Sequence, residues 1–215
     1  MDKAKIKVML VDDHIVVRAG FRMLLASQNY IGEIVDIDRG ELAVNEYKRF
    51  APDVVVMDLS MPGIGGLEAI RRLYKHDPQV LILVYSIHDE NIYVERALQA
   101  GARGYICKNS AAEILAEAVS LISSGKRYLE PGLLADNNQS CLKEQKRFRN
   151  EIYALSPREF DVFRLISKGF NAHSVAQQLC LSYKTICNYN TQIKNKLNAS
   201  TSADLANIAR EFKII

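Results

Sequence analysis

The stretch "KVMLVDDH", residues 7–14, decides the fold, because a run of apolar residues ends there in two adjacent carboxylates. A short apolar run without alternation is typical of a strand buried inside a parallel sheet. Asp12 and Asp13 repel each other, so their position at the strand end calls for a positive charge nearby. The rest of the chain must supply that charge.

Strand-like and helix-like patterns alternate over residues 5–125. The apolar strand-like runs are IKVMLV (6–11), EIVDI (33–37), DVVVMD (53–58), VLILVYS (80–86) and ARGYIC (102–107). Between these runs, apolar residues recur at helical spacing, as at Leu67, Ile70 and Tyr74. Five repeats of strand and helix predict an α/β domain with a five-stranded parallel sheet and helices on both faces.

The end of the chain has a different pattern, with helical spacing only. Four helices are predicted, over 157–168, 172–180, 183–197 and 202–212. Ser156 is a natural N-cap, Pro157 suits the first helical position, and Glu159 can complete a capping box. Only Leu181-Ser182 separates the second helix from the third, which indicates a helix-turn-helix within an all-α domain of four helices.

The predicted domain organisation is 1–126, a linker over 127–151, and 152–215. Turn formers and the basic run 143–149 mark the linker, which we interpret as solvated, although this run can also contact a polyanion. Residues 151–215 hold eight lysines and arginines against five acidic residues, whereas 1–130 hold 16 against 18. This mild asymmetry favours an anionic partner for the last domain.

Composition narrows the class of protein further. No apolar stretch approaches the roughly 20 residues that cross a bilayer, and the N-terminus lacks a signal-peptide pattern, so we expect a cytoplasmic location. The four cysteines form no Cys-x-x-Cys pair and no zinc-like cluster, which favours reduced thiols. They are Cys107, Cys141, Cys180 and Cys187.

Polar side chains stand at the carboxyl ends of four predicted strands. Asp12 and Asp13 follow the first strand, Asp58 ends the third, Ser86 ends the fourth, and Lys108 follows the fifth. Ligands of open parallel sheets bind at this edge. Three carboxylates suit Mg²⁺, which takes oxygen ligands and keeps waters for an incoming phosphate. Lys108 can then neutralise a phosphoryl group in transfer to a carboxylate, and Ser86 can donate a hydrogen bond to the product.

These residues resemble the receiver domain of two-component response regulators over roughly residues 5–125. The motifs that carry the resemblance are VDDH (11–14), MDLSMPG (57–63), LVYS (83–86) and GYICK (104–108). The resemblance implies a flavodoxin-like fold in which Asp58 is the phosphoacceptor. It also implies that Mg²⁺ is bound by Asp12, Asp13, Asp58 and the backbone carbonyl of Ser60.

By the same resemblance, Ser86 and Lys108 contact the phosphoryl group, and Tyr105 fills an aromatic switch position. The sequence departs from many receivers at Ile87, where a small residue is usual, and we expect Ile87 to narrow access to Asp58. His14 and His88 flank the site; a transition-metal role is an alternative, but a structural role is the more typical one for such histidines.

Two other interpretations of the acidic site remain open. Haloacid-dehalogenase-like phosphatases also use an aspartate at a strand end, but they require a second acid where this chain has Ser60. A nucleotide-binding domain would carry a Gly-rich loop after a strand, which the sequence lacks. Multiple turnovers on a phosphomonoester would identify the first of these alternatives.

Residues 155–215 resemble the LuxR-type helix-turn-helix domain of NarL/FixJ response regulators, and "LCLSYKTI" (179–186) is similar to the GacA/UvrY branch. The third helix of this domain is then the recognition helix that enters the major groove of DNA. The residues predicted to contact DNA are Lys184, Thr185, Asn188, Tyr189, Thr191 and Lys194. The family usually has Lys or Arg at some of the positions of Cys187, Asn190 and Thr191, so weaker and less salt-dependent binding is expected.

The two resemblances together imply a transcription factor that a sensor histidine kinase or phosphorelay protein phosphorylates. The last helix commonly pairs two subunits in this family, which implies a homodimer on promoter DNA. The protein is not expected to be a substrate-turnover enzyme, since a receiver only assists its own phosphorylation and dephosphorylation. The alternative is a phosphorylation-switched module that docks another protein.

Overall fold

The computed structural model describes residues 5–133 and 150–215, and the chain divides into two compact units, residues 1–133 and 134–215. In the first unit, strands and helices alternate from the first strand onward. Its strands are β1 (Ile6–Val11), β2 (Ile31–Ile37), β3 (Val54–Met57), β4 (Ile82–Ser86), β5 (Gly104–Cys107) and β6 (Tyr128–Leu129). Its helices are α1 (Ile15–Ala26), α2 (Gly40–Phe50), α3 (Gly65–His76), α4 (Asn91–Ala100) and α5 (Ala112–Ser123). Cys141 and the basic run 143–149 lie outside the described residues.

The strands form one parallel sheet in the order β2-β1-β3-β4-β5-β6. Helices α1 and α5 pack together over one face, while α2, α3 and α4 pack side by side. The predicted parallel α/β architecture is therefore confirmed. The prediction of five strands is wrong by one, because β6 has only two residues and a run that short carries no periodicity to read.

The central strands are apolar throughout because helices cover both of their faces. All four residues of β3 and the last four of β1 are buried, as are all five of β4. Burying a side chain such as Val or Leu stabilises the fold by about 1.5–3 kcal/mol. These strands form a rigid platform for the residues that follow them.

The edge strand β2 is protected by charged side chains. Lys7 and Glu33 form an exposed ion pair with 3.6 Å between Nζ and Oε2. Arg22 lies 3.1 Å from Asp36 and also donates a hydrogen bond of 2.9 Å to the backbone oxygen of Ile34. The edge is therefore charged, and the Ile34 carbonyl accepts a bond from a side chain of its own molecule.

The second unit is helical, as predicted, with α6 (Pro157–Ser167), α7 (Ala172–Gln178), α8 (Tyr183–Lys196) and α9 (Ser202–Glu211). Side chains from all four helices meet in one core: Phe160, Phe163, Val175, Ile186, Ile193, Leu205 and Ala209. Ser156 and Glu159 form the predicted capping box at the start of α6. Within residues 5–133 and 150–215, no helix is both long and apolar enough to span a membrane.

Candidate functional site

The carboxyl ends of β1, β3, β4 and β5 bring the predicted polar residues to one edge of the sheet. Val11 is paired with Met57, so Asp12 and Asp58 follow neighbouring strands at the same level. Ser86 is paired with Cys107, which places Lys108 one residue beyond. Four side chains that are far apart in the sequence therefore converge because parallel strands end together.

Lys108 supplies a positive charge to Asp12, the first of the two adjacent carboxylates, and to Asp58. Its Nζ lies 2.5 Å from Asp12 Oδ2 and 2.8 Å from Asp58 Oδ2. All three side chains are largely buried, so solvent screens these contacts little. The lysine bridges the ends of two strands from a third.

Asp58 is the most deeply buried carboxylate of the cluster, with 2% of its surface exposed. Burial raises the pKa of Asp58, and the Lys108 ammonium, which acts in the opposite direction, does not offset burial. Burial lowers the pKa of Lys108, but Asp58 and Asp12 outweigh burial, so the pKa of Lys108 is raised overall. The site thus holds more negative charge than its lysine neutralises.

The cluster fits a small hard cation. Ligand atoms of Asp12, Asp13, His14 and Asp58 all lie within 4.8 Å of one another. Both carboxylate oxygens of Asp58 are buried, and the bonds from Lys108 and from the Ser60 backbone do not offset the effect of burial on its pKa. Buried oxygens of this kind are the ligands that Mg²⁺ prefers, and a divalent ion would supply the charge that Lys108 leaves unmatched.

His14 belongs to this cluster in space, although its ring is mostly exposed. Its Nδ1 lies 3.2 Å from Asp12 Oδ1 and 3.1 Å from Asp13 Oδ1. The backbone N–H of His14 also donates to Asp12 Oδ1 at 2.8 Å, which fixes the orientation of that carboxylate. His14 therefore lies within reach of both adjacent aspartates at the mouth of the site.

His88 links the site to the neighbouring helix. Its ring Nε2 lies 3.1 Å from Ser60 Oγ, and the ring stacks on Tyr93 of α4 with centroids 4.1 Å apart. The backbone N–H of His88 donates to Ser86 Oγ at 3.3 Å, and its backbone oxygen accepts from the Tyr105 hydroxyl at 2.6 Å. Tyr105 is fully buried in this arrangement, and burial raises its pKa. Ser86, Tyr105 and Ser60 thus meet around His88, for which the sequence favoured a structural role without indicating these contacts.

Two further residues shape the site without being obvious from the sequence. Arg18 of α1 donates from Nη1 to the backbone oxygen of Asp12 at 2.5 Å. Gly66 of α3 passes so close to β3 that a Cβ there would lie 2.0 Å from the backbone oxygen of Asp58. Glycine at 66 is therefore what allows α3 to begin beside Asp58. The side chain of Ile87, the residue directly after Ser86, is 57% exposed.

Glu130, just after β6, contacts the loop that carries Lys108. Its Oε2 accepts the backbone N–H of Cys107 at 2.8 Å, and its Oε1 accepts the hydroxyl of Ser110. No local pattern indicates this role, since Glu130 is 22 positions away from Lys108. A sequence signal would need the pairing of β5 with β6, which is known only from the fold.

Helix α8, the predicted recognition helix, begins at a well-formed cap. The Ser182 hydroxyl accepts the backbone N–H of Thr185 at 3.1 Å and also lies 2.7 Å from the Thr185 hydroxyl. Lys184, Asn188 and Thr191 are exposed at a spacing that puts them on one face of the helix. These three of the six predicted DNA-contacting residues therefore share a surface.

The other three predicted residues are half-buried at the sides of that face. Thr185 is engaged by the cap, and Tyr189 lies on the turn that follows. Lys194 donates from Nζ to the backbone oxygen of Ser200 at 3.2 Å, so its ammonium already has a partner near the end of the helix. Lys184 is thus the most exposed cation of the predicted set.

The opposite side of α8 is held to the core by a buried charge. Lys196 Nζ lies 2.7 Å from Glu159 Oε2, and the backbone N–H of Ser156 donates to the same oxygen at 2.7 Å. Burial raises the pKa of Glu159, but these bonds outweigh burial and the net pKa is lowered. Helix α8 is therefore fixed to α6 by an ion pair. Cys180 is exposed and Cys187 is half-buried, and both are free thiols, like the buried Cys107.

The two units match two protein families. Residues 8–120 match the response regulator receiver domain, and residues 153–209 match the bacterial regulatory proteins of the luxR family. Fold and site together define a class, that of response regulators with a LuxR-type DNA-binding domain. The chain belongs to this family, and its relatives include response regulators and a transcriptional regulatory protein, DegU of Brevibacillus brevis.

Relatives match over nearly the whole chain. The response regulator UvrY of Escherichia coli K12 is 36% identical over 95% of this chain and 93% of its own length. The response regulator GacA of Pseudomonas aeruginosa PAO1 is 34% identical, with 95% of each chain covered. The predicted resemblance to the GacA/UvrY branch is confirmed by these matches.

Solved structures agree on the fold. A LuxR-family two-component response regulator from Aurantimonas has a TM-score of 0.59 at 34% identity, covering 61% of this chain and 94% of its own. RcsB of Salmonella enterica serovar Typhimurium, bound to promoter rprA in the presence of the phosphomimetic BeF3−, has a TM-score of 0.62 at 23% identity. That match covers 95% of this chain and 98% of RcsB, and at this identity it supports the fold alone.

Proposed function

We propose that Asp58 accepts a phosphoryl group from a sensor histidine kinase or a phosphorelay protein. One Asp58 oxygen forms a bond to phosphorus as the N–P bond of a phosphohistidine breaks, and the departing imidazole takes up a proton. The observation that carries this proposal is a buried carboxylate at the strand ends, 2.8 Å from the ammonium of Lys108 and clustered with Asp12 and Asp13. Such preorganised charge is what phosphoryl transfer requires.

The residues that would hold Mg²⁺ are Asp12, Asp13, Asp58 and the backbone carbonyl of Ser60. When bound, Mg²⁺ supplies charge neutralisation for the phosphoryl oxygens. Lys108 neutralises the same oxygens from the β5 side, because its Nζ already lies between Asp12 and Asp58. In this proposal Asp12 and Asp13 act as cation ligands, not as a second acid–base pair, which favours a single transfer over repeated turnover.

Phosphorylation then changes the bonds around His88. The Ser86 hydroxyl now accepts a hydrogen bond from the backbone N–H of His88. When this hydroxyl turns to donate to the new phosphoryl group, its bond with His88 is released. Tyr105 is bonded to the backbone oxygen of the same residue, so the aromatic switch and the serine respond together. This local rearrangement biases an equilibrium between inactive and active receivers.

The second unit is proposed to bind promoter DNA as a homodimer, with α8 in the major groove. Lys184 would contact phosphate, while Asn188 and Thr191 face the bases; Thr185, Tyr189 and Lys194 complete the contact surface. Membership of the luxR family supports this proposal. Pairing of two copies suits readout of two half-sites.

A protein-docking role is the second candidate for this unit. It is favoured by the small number of cations on the outward face of α8, since phosphate neutralisation supplies much of the affinity for DNA. Lys194 already donates to Ser200, which leaves Lys184 as the most available ammonium of the predicted set. The two candidates differ in how strongly salt weakens binding.

Fluorescence anisotropy with duplexes selected from random DNA tests this function in the full chain. With Mg²⁺ and acetyl phosphate, DNA affinity should rise by about tenfold, a typical allosteric coupling. The double variant Lys184→Ala, Lys194→Ala should lower the slope of log affinity against log salt by about two, while Lys213→Ala serves as a matched control. If phosphorylated wild type binds DNA no better than the double variant, the transcription-factor proposal fails and the docking role is favoured.

A further inference from the structure

Glu130 holds both ends of the loop between β5 and α5. Its Oε2 accepts the backbone N–H of Cys107 at 2.8 Å, and its Oε1 accepts the hydroxyl of Ser110. Its own backbone N–H donates to the oxygen of Tyr105 at 3.2 Å. One half-buried side chain thus closes residues 107–110 into a compact turn, which the bond from Ser110 N–H to the Cys107 oxygen, 3.1 Å, also stabilises.

The turn that Glu130 closes carries Lys108. The backbone N–H of Lys108 donates to the oxygen of Ser86 at 2.7 Å, and its backbone oxygen accepts from the Tyr85 hydroxyl at 3.3 Å. A lysine side chain has four rotatable bonds, so the position of its ammonium depends on how firmly its backbone is held. Glu130 supplies the bonds immediately before and shortly after this lysine.

The close approach of β6 to β5 is built into the sequence at Gly104. A Cβ at this position would lie 2.6 Å from the backbone oxygen of Tyr128, a distance that real Cβ atoms do not adopt. Gly104 is the partner of Tyr128 in the sheet register, and Tyr105 is the partner of Leu129. Because residue 104 is glycine, β6 can pair closely with β5. Glu130, which follows Leu129, therefore lies level with the end of β5.

We propose that Glu130 is a positioning residue for Lys108: its carboxylate fixes the turn 107–110 so that the Lys108 ammonium lies between Asp12 and Asp58. This inference rests on the proposed role of Lys108 in phosphoryl transfer. In this proposal Glu130 does not touch the phosphoryl group, since its carboxylate acts through the backbone N–H of Cys107 and the hydroxyl of Ser110. Phosphorylation chemistry therefore depends on a residue in the segment that leads out of the receiver.

A double-mutant cycle separates this role from a general effect on folding. The initial rate of phosphorylation by acetyl phosphate with Mg²⁺ is measured from the mass of the intact protein in wild type, Glu130→Ala, Lys108→Ala and the double variant. Glu130→Ala should slow the reaction about tenfold in the wild-type background, because a misplacement of about 1 Å can cost about 100-fold and Lys108 keeps its backbone bonds to Ser86 and Tyr85. In the Lys108→Ala background the same substitution should change the rate by less than about twofold, because residues that act as a unit are not additive.

Three further variants show whether the effect depends on the bonds that the Glu130 carboxylate makes. Glu117→Ala removes an exposed carboxylate of α5 that also acts on Tyr128, and it should leave the rate unchanged. Glu130→Gln retains one acceptor oxygen and should restore part of the rate. Should Glu130→Ala fail to fold, Ser110→Ala removes only one bond and should slow the reaction about threefold, again only when Lys108 is present.

The outcomes distinguish this inference from the function on which it rests. Equal slowing by Glu130→Ala in both backgrounds, or no slowing in either, overturns the positioning role while leaving Asp58 as the acceptor. Wild-type protein that takes up no phosphoryl group, or Asp58→Asn protein that still does, overturns the proposed function itself.

Discussion

The fold shifts the pKa of two buried carboxylates in opposite directions: it raises the pKa of Asp58 in the first unit and lowers that of Glu159 in the second. Glu159 is bonded by Lys196 and by the backbone of its own cap, and its pKa is lowered. Asp58 has an ammonium at 2.8 Å and a bond from the Ser60 backbone, but burial outweighs both contacts and raises its pKa. A buried carboxylate whose bonds outweigh the cost of burial stabilises a fold. One whose pKa stays raised despite its bonds is typical of a reactive site.

The largest expected effect follows from Asp58→Asn, which removes the only side chain proposed to accept the phosphoryl group. Labelling by a small phosphodonor, followed by intact mass, should fall to background because the amide is not a nucleophile for phosphorus. Asp38→Asn, an exposed aspartate of the same unit, is the control and should label normally. If Asp58→Asn protein retained an acid-labile label, Asp58 would not be the phosphoacceptor, and its contrast with Glu159 would have no chemical meaning.

Lys108→Ala comes next, since it leaves Asp12 and Asp58 buried without their cation. Breaking a buried pair in this way should lower the free energy of unfolding of the receiver by about 3 kcal/mol in the absence of Mg²⁺. Mg²⁺ should restore much of the loss, because it supplies the missing positive charge to the same oxygens. Urea denaturation with and without Mg²⁺ measures both values.

The control for this experiment is Lys7→Ala, which breaks an exposed ion pair of the same sheet. Exposed pairs contribute about 0–1 kcal/mol, and this one has no reason to respond to Mg²⁺. Equal Mg²⁺ responses in the two lysine variants would contradict a cation site at the strand ends.

Glu159→Gln should have a smaller, pH-dependent effect. Glutamine preserves the capping box but loses the charge that pairs with Lys196, so the helical unit should lose about 1–2 kcal/mol at neutral pH. Because the pKa of Glu159 is lowered in the folded protein, its contribution is present above the ordinary pKa of glutamate and is lost as the pH falls through the folded value. Hydrogen exchange of peptides from α6, compared at neutral and acidic pH, measures this loss.

Asp58 should show the opposite sign. Its pKa is raised on folding, so its favourable contribution is present at acidic pH and is lost as the pH rises through the folded value. Without Mg²⁺, Asp58→Asn should therefore stabilise the receiver at neutral pH, and the gain should shrink on acidification. Parallel pH dependences for the two carboxylates would show that the contrast between them is wrong.

The smallest effect is expected at the recognition helix. Lys184→Ala should weaken binding to all DNA sequences and reduce the salt slope by about one, whereas Asn188→Ala should change the preference between sequences and leave the slope unchanged. Anisotropy titrations at several salt concentrations separate the two. Equal loss of slope in both variants would argue against the proposed division between phosphate and base contacts.

Most of the fold and much of the candidate site could be predicted because both rest on local patterns. The runs that end at Val11, Met57 and Ser86 are apolar enough to identify as buried strands, and the carboxyl ends of parallel strands must meet. The helix-turn-helix was equally readable, since Ser156 and Ser182 are strong caps. Local physics determines these features, so a local reading finds them.

The remaining features depend on contacts between distant segments. β6 has two residues and no period, and the effect of Glu130 on Lys108 exists only once β6 has paired with β5. His88 reads as an isolated histidine until Tyr93 stacks on it and Ser60 bonds to it. Lys196 likewise looks like one more surface lysine, although its partner Glu159 is 37 positions away.

The two edges of the sheet have a consequence for how the molecule behaves in a crowded solution. A strand from another molecule can extend a sheet only where it finds a row of free backbone groups. At one edge, Arg22 covers the Ile34 oxygen and Glu33 and Asp36 add charge; at the other, β6 presents only two residues. Aggregation by strand addition is therefore disfavoured on both sides. For the same reason, association of two copies through their sheets is not expected. The carboxyl ends of the strands can stay open for chemistry, because the protected edge strands prevent the sheet from growing into a fibre.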